Sequence, residues 1–465
     1  MGRQKSLLKN HVMKKGNIKK IIKKTAPISI VNPNAAGVDI GDTMHVVAVP
    51  EGRSKHFVKE FGTMTCDLEL IVEWLKECDI ETVAMESTGV YWKPLFSLLL
   101  LHDIKVFLVN ARHVRNVTGR KNDQLDAQWI QQLHACGLLK SSYLPEEEQE
   151  GLRALIRYRH TLIQDSSRFV LRMQKSLELM NIKVHTVISD IMGKTGRAII
   201  DAIVNGERNA ENFIPLIDHR IKADRVTIAK SLQGTWREEH LFTLKESYRF
   251  YLFYQQEIAT CDQAIEKQLV HYEAFTQQGC IESPTEKEQT KIKKSQKNPL
   301  AFNAAHYLQR IHQVDVLAIY GLSEISALEI LAETGTDMSK WENEKHFVSW
   351  LNLCPNNKIS GGKVISSSIL KKKPNLASQA FRTAANSLCN SNHWLGDFFR
   401  RMRAKGGHKY ALVATANKIA TIYYKMLSQK QEFNPVDLKA YQERYKTAKI
   451  AYLERKLQQL REAAA

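Results

Sequence analysis

Between Asn34 and Gly137 the chain alternates short apolar runs with segments whose apolar residues recur at helical spacing. Runs at Ala36–Ile40, His45–Val49 and Lys55–Phe61 predict three strands, and a helix near Leu68–Cys78 leads to a fourth at Thr82–Met85. A helix near Tyr91–Leu101, a strand at Lys105–Val109 and a helix from about Asn122 follow. Early strands in succession, then strand–helix alternation, predict an α/β domain with a mixed sheet.

From Glu146 to about Phe275 glycine and proline are sparse, and Leu152, Leu155, Ile156, Leu162 and Ile163, then Tyr248, Leu252, Ile258, Ile265 and Leu269, keep helical spacing. This predicts long helices forming an antiparallel pair or a dimerising coiled coil. The Lys- and Pro-containing stretch Thr276–Asn298 reads as a polar linker. A second globular region, mainly helical, is punctuated at Gly321, Gly335, Gly361-Gly362 and Gly406-Gly407, and Asn434-Pro435 opens a charged helix. The expected division is a basic flexible arm (1–33), the α/β domain (34–145), the helical region (146–275), the linker (276–298), the second globular domain (299–430) and the charged helix (431–465).

Length and composition narrow the class. At about 150 residues per domain, 465 residues make roughly three units. With 43% hydrophobic and 25% charged residues, a mostly disordered chain is excluded. Lys and Arg outnumber the acids 67 to 49, a net charge of +18 that calls for a polyanionic partner, a nucleic acid or an anionic membrane surface. The first two dozen residues hold Arg3 and eight lysines with no acid, an arm that contacts phosphates or simply solubilises the start. Seven scattered cysteines without a Cys-x-x-Cys pair signal neither a disulfide framework nor a zinc ribbon. The lysine-rich start lacks the apolar run of a signal peptide, and Leu95–Leu101 is too short to span a bilayer, so a soluble, cytoplasmic, nucleoid-associated protein is expected.

Two acids interrupt apolar strands. Asp39 sits in Ala36-Gly37-Val38-Asp39-Ile40-Gly41 and Glu86 ends Thr82–Glu86, each where a lone carboxylate costs several kcal/mol unless paired or bound to a metal. Asp123 and Asp126, three apart, share one face of the helix that follows. Converging carboxylates repel by about 4 kcal/mol per close pair at an effective dielectric of ~20, so a set of four is expected to hold divalent cations. Oxygen-only donors favour Mg2+ or Mn2+, and two such ions suit phosphodiester cleavage. Alone, Asp39 reads as a turn residue, Glu86 as a helix partner and the aspartates as a cap; their joint order favours the metal site. Asp42 and Asp103 fall where loops are expected. Arg112, His113, Arg115, Arg120 and Lys121 precede the aspartate pair and are placed to steer a phosphate backbone toward it.

In the second region, Ser360 precedes Gly361-Gly362 and lies between Lys358 and Lys363. Glycines let backbone approach phosphate and lysines stabilise developing charge, so Ser360 is a candidate phosphoryl-accepting nucleophile, although serine and glycine in a turn often make only a turn. Lys371, Lys372, Lys373, Arg382, Arg400, Arg401, Arg403 and Lys405 extend a basic surface, and Trp394, Phe398 and Phe399 among them read as helix core.

The strand order is that of an RNase H-like fold. With the motifs Gly37-Val38-Asp39-Ile40-Gly41, Met85-Glu86-Ser87-Thr88-Gly89-Val90-Tyr91-Trp92 and Lys121-Asn122-Asp123-Gln124-Leu125-Asp126-Ala127, it resembles the insertion-sequence transposases of the IS110 family, with their N-terminal RuvC-like DEDD domain. Ile319–Asp337, Trp341–Leu353, Pro355 and Ser360-Gly361 resemble that family's C-terminal, serine-containing transposase domain. The resemblance implies site-specific recombination of double-stranded donor and target DNA by a metal-dependent tetrad matching Asp39, Glu86, Asp123 and Asp126 and by a serine matching Ser360. It further implies homodimers pairing into tetramers, composite sites shared between subunits and, in some members, a structured noncoding guide RNA. Tyr320-Gly321-Leu322-Ser323 departs from the family's usual hairpin, and the middle helical region is long. The competing readings are a RuvC-like junction endonuclease without serine chemistry, an actin-type ATPase and a non-catalytic nucleic-acid-binding protein.

Overall fold

The structure is a computed structural model that describes residues 29–87, 89–109, 123–143, 145–277, 297–369 and 375–464. The basic arm before residue 29, Arg112, Arg115, Arg120, Lys121, most of the polar linker and Lys371–Lys373 lie outside the described residues. The chain divides into two compact units, Met1–Leu144 and Pro145–Ala465.

The first unit is a five-stranded mixed sheet. Its strands are β1 (Ala35–Ile40), β2 (His45–Ala48), β3 (Val58–Phe61), β4 (Thr82–Glu86) and β5 (Lys105–Val109), in the order β3-β2-β1-β4-β5. β1 pairs antiparallel with β2 and parallel with β4, and β4 pairs parallel with β5. Helices cover both faces, which is why β1 and β4 read as near-continuous apolar runs. On one face Val38, Ile40, Val47, Val83 and Met85 pack under α1 (Thr65–Glu77) and α2 (Trp92–Leu101). α1 presents Leu68, Ile71, Val72 and Leu75 at helical spacing, and α2 presents Leu95 and Leu99. The opposite face receives α3 (Asp123–Ala135), whose Ile130 meets Ala84 and Val109 and whose Ala127 meets Val46 and Ala48.

The second unit is built on two long helices, α4 (Glu147–Leu179) and α7 (Glu238–Gln277). Gln268 bonds to the Glu148 carbonyl and Gln255 to Ser166, so the pair runs antiparallel within one chain. Buried Arg159 forks onto Asp262 and also donates to the Asn298 and Pro299 carbonyls, fixing the entry of the following segment. The helical region is not continuous, as periodicity alone suggested. Residues 180–237 fold back into short helices, among them α5 (Lys194–Val204) and α6 (Arg225–Ser231), and pack Ile182, Ile199, Phe213, Ile228 and Leu232 against Leu177 of α4 and Leu244 of α7 in one core. Local chemistry dictates the breaks: Gly193, Asn209 and Asp224 are N-cap positions, and Gly206 adopts positive φ.

Five helices complete the globular part: α8 (Ala304–His312), α9 (Glu324–Thr334), α10 (Glu344–Trp350), α11 (Leu376–Ser387) and α12 (Trp394–Gln429). Phe347, Phe381, Phe399 and Tyr423 are fully buried among them. Glu333 of α9, also fully buried, receives Arg153 and Arg157 from α4, so its carboxylate is compensated from two sides and loss of Glu333 would remove the partner of both arginines. α13 (Leu438–Ala464) follows a few residues after Asn434-Pro435, and its Tyr441 and Tyr445 rings stack on Arg401. The expectation of a mainly helical region misses one element: Asn356–Ser360 (β6) and Lys363–Ser368 (β7) form a two-stranded hairpin.

Candidate active site

The geometry of the first unit turns on Gly37. A Cβ there would stand 2.3 Å from the Gln131 amide nitrogen and 2.5 Å from the Ala127 carbonyl oxygen, so only glycine lets α3 lie directly on β1. Gln131 also donates to the Ala35 carbonyl at 3.1 Å. β1 therefore advances from Ala35 toward Asp39 as α3 is retraced from Gln131 toward its start, since two strand residues and four helix residues each cover about 6 Å.

Strand alternation puts Asp39 on the face of Gly37, under α3, and Glu86 on the face of Ala84, under the same helix. Val38 lies opposite Met85 in the parallel pairing, so Asp39 and Glu86 occupy the next positions of adjacent strands, at the same end. Each is half-buried, Asp39 across from Val46 of β2 and Glu86 across from Val109 of β5. Asp126 is half-buried in the first turn of α3, one residue before the Ala127 that packs on the sheet. Asp123 begins that helix, and its side chain lies outside the described residues. Carboxylates in a first helical turn are favoured by the macrodipole. Among the described side chains no three His, Cys, Asp or Glu form a ready-made metal cluster. What fits a hard divalent cation is the donor set, all oxygen, drawn from two adjacent strand ends and one helix start.

Behind these carboxylates the support is dry. His134 of α3 is buried, its Nε2 is 2.9 Å from the Thr82 hydroxyl, its ring lies against Phe107, and burial pulls its pKa down to about 4. Sequence reading passed over His134 and Gln131; the 3.6-residue spacing of Ala127, Ile130, Gln131 and His134 is the signal that would have found them. Asp42 and Asp103 sit exposed in turns, as expected of them.

Ser360 belongs to the second unit. It closes β6 and faces Lys363 across a two-residue turn in which Gly361 and Gly362 hold φ of 55° and 76°, the twist of a type I′ hairpin. Ser360 and Lys363 are exposed, and Ser366 and Ser367 lie further along the partner strand. The basic surface expected around it is partly structural. Arg382 donates to the Asn352 carbonyl, Arg400 to the Ser391 carbonyl, and Arg401 pairs with Asp397, because each has carbonyls or a carboxylate within reach inside the helical core. Trp394 and Phe399 are buried core, as read, while Arg403 and Lys405 are exposed. All six described cysteines are free thiols, and no described helix is long and apolar enough to cross a membrane.

A mixed five-stranded sheet with acids at the ends of two adjacent strands and at the start of the covering helix is consistent with a RuvC-like domain. Residues 36–182 match the DEDD transposase model of the IS110 family, described as a transposase, and residues 315–400 match the model described as transposase of the IS116/IS110/IS902 family. The chain belongs to the IS110 transposase family. A search of curated proteins finds no match.

Proposed function

We propose that this transposase cuts and rejoins strands of double-stranded DNA at the ends and target of a mobile insertion sequence, with two sets of groups in its two units. Asp39, Glu86, Asp123 and Asp126 bind Mg2+ or Mn2+. Bound there, such an ion supplies Lewis acidity at phosphoryl oxygens and lowers the pKa of a coordinated water or hydroxyl. The observation that supports this most is the register of β1 against β4 beneath α3. The four acids orient that ion, and the close packing at Gly37 keeps their spacing fixed.

Ser360 is the nucleophile. Its Oγ forms an ester bond to a strand phosphorus as the bond to a deoxyribose oxygen breaks, and the serine proton passes to that leaving oxygen. Attack by the hydroxyl of a second strand reverses the step and restores Ser360, so no net oxidant or nucleotide is consumed. Lys363, opposite Ser360, is placed to stabilise the charge that grows on the phosphoryl oxygens. Arg112, Arg115, Arg120, Lys121 and Lys371–Lys373 contribute backbone contacts in this reading, and a structured noncoding RNA and assembly of dimers into tetramers complete it.

The test is recombination between donor and target DNA in cells carrying the whole element, comparing wild type with Asp126→Ala and Ser360→Ala. Both variants are expected to lose recombination by about 10³-fold or more while still folding and binding nucleic acid. Normal recombination by Ser360→Ala would remove the serine from the mechanism and leave a RuvC-like junction endonuclease. Normal recombination by Asp126→Ala would remove the carboxylate site.

A further inference from the structure

The β6–β7 hairpin has two faces, and both are exposed. Cross-strand partners point the same way, so Ser360 with Lys363 and Lys358 with Ser366 make one face, while Ile359 with Val364 and Asn357 with Ser367 make the other. Ile359 is 64% exposed, Val364 58% and Ile365, at the bulge beside Lys358, 70%. Valine and isoleucine are unusual on both sides of a lone hairpin in water, since an isolated two-stranded ribbon is marginal unless something covers it. The charge of the sequence on either side of it points to the cover. No Asp or Glu occurs from Lys345 to Gly396, whereas Lys345, Lys358, Lys363, Lys371, Lys372, Lys373 and Arg382 do. Outside the ribbon this stretch makes up most of α10 and all of α11. An acid-free ribbon of lysines, serines and β-branched residues is complementary to a polyphosphate with apolar groups between its strands.

Resting on the proposed DNA reading, we propose that the β6–β7 ribbon enters the major groove of the duplex, with Ile359 and Val364 on the base edges and Lys358 and Lys363 reaching to the flanking phosphates. Two strands ~4.8 Å apart with their side chains match a groove ~12 Å wide, which admits a β-ribbon. The deep, narrow major groove of A-form RNA does not admit one. Ile359 and Val364 supply contacts to thymine methyl groups, and seating the ribbon brings its tip, where Ser360 lies, beside the backbone. The two residues are thus positioning residues for the strand that Ser360 attacks.

The experiment uses the full chain on a duplex spanning the junction of element and flank, alongside a mixed-sequence duplex and a folded RNA hairpin of equal length. Threonine keeps β propensity while replacing one apolar branch, the ethyl of Ile359 or a methyl of Val364, by a hydroxyl, so Ile359→Thr with Val364→Thr is expected to retain the thermal transition yet weaken duplex binding about tenfold, equivalent to ~1.4 kcal/mol. The same pair should abolish protection of guanine N7 from methylation, a major-groove signature, and leave the salt dependence of binding unchanged. Lys358→Ala and Lys363→Ala should each lower the slope of log affinity against log salt by about 0.9 and leave the base-edge protection in place. Unchanged duplex affinity and N7 protection in the threonine pair overturn the proposal, as does loss of RNA-hairpin binding with duplex binding intact. In either case wild-type recombination still stands. If the wild-type chain itself neither recombines nor protects the junction duplex, the proposed function fails as well.

Discussion

The two sets of groups that the proposed reaction needs are held in opposite ways. In the first unit Asp39 and Glu86 rise from a sheet covered on both faces and Asp126 from the helix that lies on it, and their spacing follows from hydrogen-bond register and from α3 lying on Gly37. In the second unit Ser360 lies at the tip of a solvent-exposed hairpin whose shape depends on two glycines with positive φ and nothing packed against them. Carboxylates that must converge despite mutual repulsion need a rigid frame. A nucleophile that must reach a polymer and return needs reach and an exposed backbone.

That contrast predicts unequal responses to equal insults. The largest is expected at Gly37. Gly37→Val drives a side chain into the backbone of α3 and should cost about 3 kcal/mol or more, with loss of recombination and faster amide exchange across β1, β4 and α3. A variant that keeps wild-type exchange would show that α3 is not held on the sheet in this way.

The next effect is a pH dependence specific to the first unit. The folded pKa of His134, about 4, lies below its ordinary value of 6.5, so between those values the unfolded chain binds a proton that the folded chain refuses. Its contribution is complete above pH 6.5 and is lost as pH falls toward 4, at up to ~1.4 kcal/mol per unit and roughly 3 kcal/mol in all. His312, buried against Tyr423 with its pKa likewise pulled down to about 4, adds a parallel slope in the second unit. Unfolding of His134→Gln measured from pH 7 to pH 4 should flatten the loss of protection in the sheet while leaving that around α8. Equal slopes in variant and wild type would assign the acid sensitivity to other groups.

The smallest effect on stability is expected at the hairpin. Gly361→Ala meets no neighbouring atom but must hold φ near 55°, a cost of about 1 kcal/mol confined to a ribbon that the rest of the unit does not lean on. Global unfolding should stay within about 0.5 kcal/mol of wild type, while recombination falls more than stability does. A large drop in melting temperature would mean the ribbon is part of the core after all.

Much of the first unit was legible before any coordinate. Apolar runs of strand length, the helical spacing in α1 and the misplaced acids Asp39 and Glu86 are local signals, because a carboxylate inside a buried run is costly wherever it occurs. The aspartate pair on α3 was equally visible from its three-residue spacing. Less of the second unit was legible. Val364 and Ile365 lie in a stretch expected to be mainly helical, and the core that residues 180–237 build against the two long helices was hidden inside a long amphipathic pattern. Arg382, Arg400 and Arg401 read as a basic surface because charge is counted along the chain, whereas their carbonyl and carboxylate partners are supplied by packing.

The sequence alone therefore determined the order of strands and helices in the first unit and the excess of positive charge, and it singled out the acids and the serine as candidates, since each rests on residue type and short-range spacing. Only the tertiary structure decided that Asp39 and Glu86 stand side by side, through a parallel pairing of strands separated by a helix. It alone decided that Gly37 is an opening for α3 and that Ser360 rides on an uncovered ribbon. Those outcomes depend on contacts between residues far apart in the chain, which no local pattern of hydrophobic and polar positions encodes.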